Sequence, residues 1–282
     1  VAALGEDRNE YHTVMIPLKT ETEIEAMRES CAIVSDVHRL LMLHVKPGVN
    51  VTTLDEMAED FIRAKGAVPA FKGYSSGSKS ISLYPATLCV SIDSEVVHGI
   101  PSDRELQEGE IVSIDVGAKK RGFYGDGAIT LPVGNVDAEK RRLMSVTREA
   151  LFRGIEKAVP GNKLYDISAA IQQHVEENGF SVVRELFGHG IGRKLHEEPT
   201  VPNFGRVGGG PTLEVGMTLA IEPMVIYGDF KVRIAPNGWT VISRDGTPAA
   251  HFEHTVYISC DGPLLLTNHF ERENGETRID NS

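Results

Sequence analysis

Between Ile111 and Thr130 the chain reads I-V-S-I-D-V-G-A-K-K-R-G-F-Y-G-D-G-A-I-T, and its two aspartates are the first residues whose spacing suggests chemistry. Runs of β-branched and aromatic residues flank Lys119-Lys120-Arg121-Gly122, which reads as a four-residue hairpin loop ending in glycine. With Ala118 facing Phe123 across that loop, Asp115 falls opposite Asp126 and both carboxylates share one face. Like charges placed opposite each other destabilise a sheet, so one or two divalent cations held by oxygen are the economical explanation. From this stretch alone, a solvated face carrying two unrelated aspartates explains the pattern equally well.

Later segments concentrate glycine, histidine and acid in a way that core packing does not require. They are V-H-G-I-P (97–101), G-H-G-I-G (188–192), L-H-E-E-P (195–199), I-E-P-M (221–224) and F-E-H-T (252–255). Glu222 is the most telling, because Met217 to Tyr227 is otherwise an apolar strand and a glutamate there is costly unless paired or coordinating metal. Added to Asp115 and Asp126, these segments give a set of two aspartates, a histidine and two glutamates, whose charge of about −4 two divalent ions would balance. Oxygen and imidazole donors suit manganese, iron(II), cobalt or zinc, whereas a structural zinc site would favour cysteine. Two ions roughly 3.5–4 Å apart make water a nucleophile at neutral pH and polarise a carbonyl, so metal-assisted hydrolysis is the natural reaction class.

The elements that must position these residues follow from periodicity and caps. Thr20-x-x-Glu23 resembles a capping box, after which Ile24, Met27, Cys31, Val34 and Leu41 recur at helical spacing to about Val45. Lys46-Pro47-Gly48 stops that helix, and a second box, Thr53-x-x-Glu56, opens a shorter one closed at Gly66. Thr87 to Ile92 reads as a strand ahead of the hairpin. Asp137 caps a helix running to about Ala158, and Leu164 to Asn178 forms another, closed by Gly179. Strand-like runs follow at Ser181 to Phe187, Met217 to Tyr227, Trp239 to Arg244 and His251 to Ser259. Two helices followed by antiparallel strands, twice over, is an α+β arrangement with internal pseudosymmetry. Residues 1–19 read as an arm on the surface, 20–267 as a single domain, and 268–282 as a polar tail expected to be disordered.

Composition narrows the function classes. The 282 residues are 41% hydrophobic and 24% charged, as in an ordinary globular protein with a substantial core. A formal charge of −11 argues against direct nucleic-acid or anionic-membrane binding. No stretch reaches the roughly 18 apolar residues of a membrane span and no signal-peptide pattern opens the chain, so the expectation is a cytoplasmic protein with no membrane partner. Cys31, Cys89 and Cys260 are too few and too scattered for a disulfide framework and read as free thiols.

From about Lys19 to Asn268 the chain resembles the type I methionine aminopeptidases. H-G-I-P, I-D-V-G with G-D eleven positions on, G-H-G-I-G, H-E-E-P, I-E-P-M and F-E-H-T stand in that family's order. The resemblance implies a pita-bread fold, two pseudosymmetric halves with antiparallel strands around a dinuclear metal site. It implies that Asp115, Asp126, His189, Glu222 and Glu253 bind two divalent metal ions, with Asp126 and Glu253 bridging both. By the same analogy His98 contacts the amide nitrogen beyond the scissile bond, His196 the carbonyl oxygen that becomes the oxyanion, and Glu222 takes the proton of the attacking water. Phe71, Tyr74, Tyr84, Cys89, Leu195 and Trp239 would surround the substrate side chain, and each is equally explicable as core. The implied activity is removal of the N-terminal (initiator) methionine from nascent polypeptides with a small second residue, by a cytoplasmic monomer in transient contact with the ribosome.

Leu195, where phenylalanine is common, Phe71, where a cysteine can occur, and the Ser-Ser-Gly-Ser insert between Tyr74 and Tyr84 depart from the best-studied bacterial pattern and bear on pocket depth. Glu222 and Glu253 are 31 positions apart, which leaves no room for the helical insertion of type II enzymes. A catalytically silent peptide-binding homologue and a proline-directed aminopeptidase of the same fold are the alternatives; loss of a ligand would favour the first, and all five are present. Gly208-Gly209-Gly210 lacks the phosphate-loop pattern, His196-Glu197-Glu198-Pro199 is not H-E-x-x-H, and Lys119-Lys120-Arg121 reads as a charged hairpin tip.

Overall fold

The computed structural model describes residues 15–75, 77 and 81–268, together with the backbone of 272–273 and 276–277. Helix α1 spans Glu21–Met42 and begins as its capping box predicts, with Thr20 N–H donating to Glu23 Oε2 at 2.9 Å and Glu23 N–H to Thr20 Oγ1 at 3.4 Å. Ile24, Met27, Cys31, Val34 and Leu41 form its buried face. Helix α2 spans Val51–Ala64, and here the expected box at Thr53 is corrected. Asn50 caps the helix instead, its side chain accepting from Thr52 N–H at 2.8 Å, so Thr53 and Glu56 lie inside it. Helix α3, Ala138–Ile155, is capped by Asp137 as expected, and α4 covers Leu164–Glu177.

Nine strands form one antiparallel sheet among the described residues. Its path runs from Val68–Pro69 to Ile111–Lys120, Phe123–Pro132, Glu253–Ser259, Thr218–Ile221, Gly188–Gly190 and Glu197–Val201, with Leu88–Ile92 and Gly262–Leu265 attached at the sides. The two halves of the chain therefore meet inside this sheet, where Glu253 and His254 pair with Ala128 and Gly127. Helices α1 and α2 pack with the first half, and α3 and α4 pack against each other in the second.

The hairpin register differs from the sequence expectation. Lys120 pairs with Phe123, so the turn is the two residues Arg121-Gly122, at φ 51° and 86°, and Lys119 and Lys120 belong to the strand. Positive φ at both central residues matches the right-handed twist of the flanking strands, and glycine supplies the second at no steric cost. Asp115 consequently sits opposite Ala128, and Asp126 opposite Gly117. The slip is by two residues, so both carboxylates keep the same face as diagonal neighbours. Helix α1 holds the hairpin in place: Ser30 Oγ donates to Phe123 C=O at 2.9 Å and accepts from Lys120 N–H at 3.0 Å.

Two expected strands are also broken. Met217 to Tyr227 becomes Thr218–Ile221 and Met224–Ile226, interrupted at Glu222-Pro223, and the last run becomes Ala249–His251 and Glu253–Ser259, interrupted at Phe252. At each break the chain leaves one sheet for another, since Met224–Ile226 pairs with Ala249–His251 on one side and with Ser181–Val182 on the other. Proline, lacking an N–H, cannot continue the ladder. The runs at 181 and 239 are shorter than expected, Ser181–Val182 and Val241–Ser243.

The arm is not wholly superficial. Lys19 is buried, donating to Glu197 Oε2 at 2.7 Å and to Pro17 C=O at 3.1 Å. The expected disorder from Asn268 falls largely outside the described residues, as do Ser76 and Ser78 of the Ser-Ser-Gly-Ser insert; Asn268 itself is fixed, its N–H donating to Ser35 Oγ at 2.8 Å. No helix among the described residues is long and apolar enough to cross a membrane.

Candidate metal centre and cleft

The register of the large sheet brings five sequence-selected donors to one face. Asp115 and Glu253 both flank Ala128, from the strands on either side of it, and Asp126 lies two residues from Ala128. His189 pairs with Ala220, which in turn pairs with Thr255, two residues from Glu253. Glu222 follows the last paired residue of its strand, where His254 meets Ile221, and so extends to the level of Glu253. Side chains two apart along a strand, or opposite across one, share a face. Donor atoms of Asp126, His189 and Glu253 lie within 4.8 Å of one another, and those of Glu222, His251 and Glu253 form a second such group. Glu253 belongs to both.

Local sequence holds Asp126 and His189 in place. Thr255 of F-E-H-T donates from Oγ1 to Asp126 C=O at 2.8 Å and accepts from Asp126 N–H at 3.1 Å, which fixes the backbone of one strand against its neighbour. The glycines around His189 are steric necessities, since a Cβ on Gly188 would lie 2.4 Å from Ala220 O and one on Gly190 2.1 Å from Glu198 O. His189 Nδ1 lies 2.9 Å from Gly190 O. A carbonyl only accepts, so Nδ1 carries the proton and the Nε2 lone pair faces the site, 3.7 Å from Glu222 Oε1.

The electrostatics are those of a cation site. Burial pushes the Asp115 carboxyl up to about 7 and Glu222 to about 8. Asp126 and Glu253 are raised well above the ordinary range by burial and then by the neighbouring carboxylates. Burial depresses His189 to about 3, keeping it neutral and able to coordinate. Asp115 Oδ1 is buried with no hydrogen-bond partner among the described residues. Four carboxylates that repel one another, an imidazole lone pair and an unsatisfied buried oxygen are a donor set that fits divalent cations.

A cleft of about 800 Å³ opens over this floor. Its apolar wall includes all six sequence-selected pocket residues, Phe71, Tyr74, Tyr84, Cys89, Leu195 and Trp239. Cys89 pairs with Asp115 across the sheet, which places it beside the carboxylates. Tyr84 and Trp239 meet edge to face at 5.2 Å, while the Tyr84 hydroxyl donates to Gly99 C=O at 2.8 Å, so Tyr84 is a wall with no polar group to offer. His196 stands over the floor, its ring 4.3 Å from that of His189 and its Nδ1 hydrogen-bonded to the Tyr74 hydroxyl at 2.8 Å. His98 lines the same cleft, at φ 58° in the left-handed region, with its ring lowered to about 4 by burial.

Sequence reasoning missed His251. Its Nε2 lies 3.3 Å from Glu222 Oε2, and the residue is 1% exposed. The available signal was its place two residues before Glu253, in a run that the sequence reads as one strand.

The model of metallopeptidase family M24 matches residues 25–259. A methionine aminopeptidase of Clostridium perfringens (strain 13 / Type A) is 51% identical over 253 residues, covering 90% of this chain and 99% of the relative. Methionine aminopeptidase 1 of Bacillus subtilis (strain 168) is 47% identical over 253 residues with the same coverage. The crystal structure of methionine aminopeptidase from Rickettsia prowazekii superposes with a TM-score of 0.87 at 39% identity, covering 90% of this chain and all of that one.

Proposed function

Because the chain belongs to metallopeptidase family M24, we infer that it is a metal-dependent aminopeptidase that removes the N-terminal methionine from polypeptides. The observation that carries this reading is the convergence of four carboxylates and one imidazole on one sheet face, under an apolar-walled cleft. Asp115, Asp126, His189, Glu222 and Glu253 are the residues that would hold two divalent ions. Cobalt, manganese, iron(II) and zinc all suit these donors. Such ions polarise the scissile carbonyl and make water nucleophilic at neutral pH.

The remaining work falls to the chain's own side chains. Phe71, Tyr74, Tyr84, Cys89, Leu195 and Trp239 enclose the methionine side chain, which a flexible, polarisable thioether fills well. Glu222, facing the cleft beside the other donors, accepts the proton of the attacking water. With the Tyr74 hydroxyl taken as donor to Nδ1 of His196, 2.8 Å away, Nε2–H of His196 is the donor to the developing oxyanion. His98 contacts the amide nitrogen beyond the scissile bond. By its resemblance to the type I enzymes, we propose that it acts on nascent chains as a cytoplasmic monomer, with the ribosome as a transient partner.

The test is hydrolysis of Met-Ala-Ser by chelator-stripped protein, with each of the four metals titrated back and Ala-Ala-Ser and Ala-Pro-Ala run alongside. Metal-dependent release of methionine from the first peptide alone is expected. Metal binding without hydrolysis of any peptide would overturn the reading.

A further inference from the structure

His251 sits at the seam between two sheets. It closes the strand Ala249–His251, pairs with Met224, and is followed by Phe252 and then Glu253. Its backbone is clamped, with N–H donating to Thr130 Oγ1 at 2.9 Å and C=O accepting from the same hydroxyl at 2.7 Å; Thr130 is in turn bonded to Ser113 Oγ at 2.8 Å. Little freedom is left to the ring. Its Nε2 is buried, makes no aligned hydrogen bond, and has Glu222 Oε2 at 3.3 Å. Glu222 Oε1 faces the other way, towards His189.

A buried ring nitrogen without a hydrogen bond is rare and calls for an occupant or a partner. Carboxylates that hold metals are themselves oriented by hydrogen bonds to the oxygen that does not coordinate. Polar contacts at such sites are often long in the free protein and tighten once the site is loaded. We propose that His251 is a positioning residue, donating from Nε2 to Glu222 Oε2 and so fixing which oxygen of Glu222 faces the ions. The inference rests on Glu222 being a metal ligand, as proposed above.

The experiment is calorimetric titration of chelator-stripped protein with cobalt(II) alone, for the wild type, His251→Ala and His251→Gln, each first checked for a cooperative thermal transition. An amide N–H can replace the imidazole donor, so the glutamine variant separates donation from coordination by the ring. Cobalt affinity is expected to fall about 10- to 100-fold in His251→Ala and to return to within a few-fold of the wild type in His251→Gln. Wild-type affinity in His251→Ala would overturn the proposal. So would an equal loss in both variants, which would make Nε2 a ligand. Should the alanine variant not fold, His251→Gln decides alone, a loss beyond tenfold counting against donation. A wild-type protein that takes up no cobalt would instead fail the metal reading itself, a distinguishable result.

Discussion

At the scale of single residues, the site divides into groups that hold charge and groups that meet substrate. His196 belongs to the second kind, because its ring stands beside His189 while its Nδ1 is tied to Tyr74. His196→Ala is therefore expected to lower kcat on Met-Ala-Ser by about 10²-fold or more, the usual cost of one oxyanion donor. Cobalt titration of the same variant should match the wild type; an unchanged kcat would remove His196 from catalysis. The five proposed ligands were legible in sequence because each sits in a short segment whose glycines, prolines and threonine have a steric or hydrogen-bonding reason to be there. His251 was not, because its role depends on a strand break at Phe252 that brings it to Glu222, 29 positions away in the chain. The assumed partnership of Asp115 and Asp126 had the right face and the wrong register, since face depends only on parity and register depends on the turn.

At the scale of elements, the helices were readable, with the caps Thr20 and Asp137, while the cap of α2 and the ends of strands were not. A cap is a local event, whereas the point at which a strand changes sheets depends on what lies beside it. The arm illustrates the difference: nothing near Lys19 in sequence announces Glu197, yet their side chains are only 5% and 8% exposed and lie 2.7 Å apart. The pair ties the start of the chain to the loop that carries His196, and Glu197 Oε1 also accepts from Lys194 N–H at 3.0 Å. Removing one partner of a buried pair leaves an uncompensated charge, which costs about 3 kcal/mol. Lys19→Met should lower the urea midpoint accordingly at unchanged m, and adding Glu197→Gln should restore much of the loss. A single variant with the wild-type midpoint would show that the pair contributes nothing.

For the whole molecule, two opposing sets of buried groups shape stability in the metal-free state. Burial lowers His189, His38 and His254 to about 3 from an ordinary 6.5, so the unfolded chain binds more protons than the native one below that value. Stability on that account rises with pH up to about 6.5. Asp115 and Glu222 are raised to about 7 and 8, so the native state holds their protons longer and stability falls as pH rises through those values. Above pH 6.5 only the carboxylates act. Chelator-stripped protein should therefore show its highest melting temperature near neutrality and lose stability towards about pH 8.5, a descent that bound metal removes. Thermal melts at several pH values, with and without cobalt, check this; a metal-free melting temperature that kept rising through pH 8 would contradict it. The α+β class was legible at this scale, from the repeated order of helices and strands. The joining of both halves within the large sheet was not, because there it rests on the short pairing of Glu253 and His254 with Ala128 and Gly127.

The left-handed backbone at His98 sets stability and turnover against each other. A residue with a Cβ held at that φ gives up about 1–2 kcal/mol that glycine would not. Any search for hardier variants that reads only melting temperature will drift towards glycine at position 98, and will discard the imidazole that lines the cleft without registering a loss.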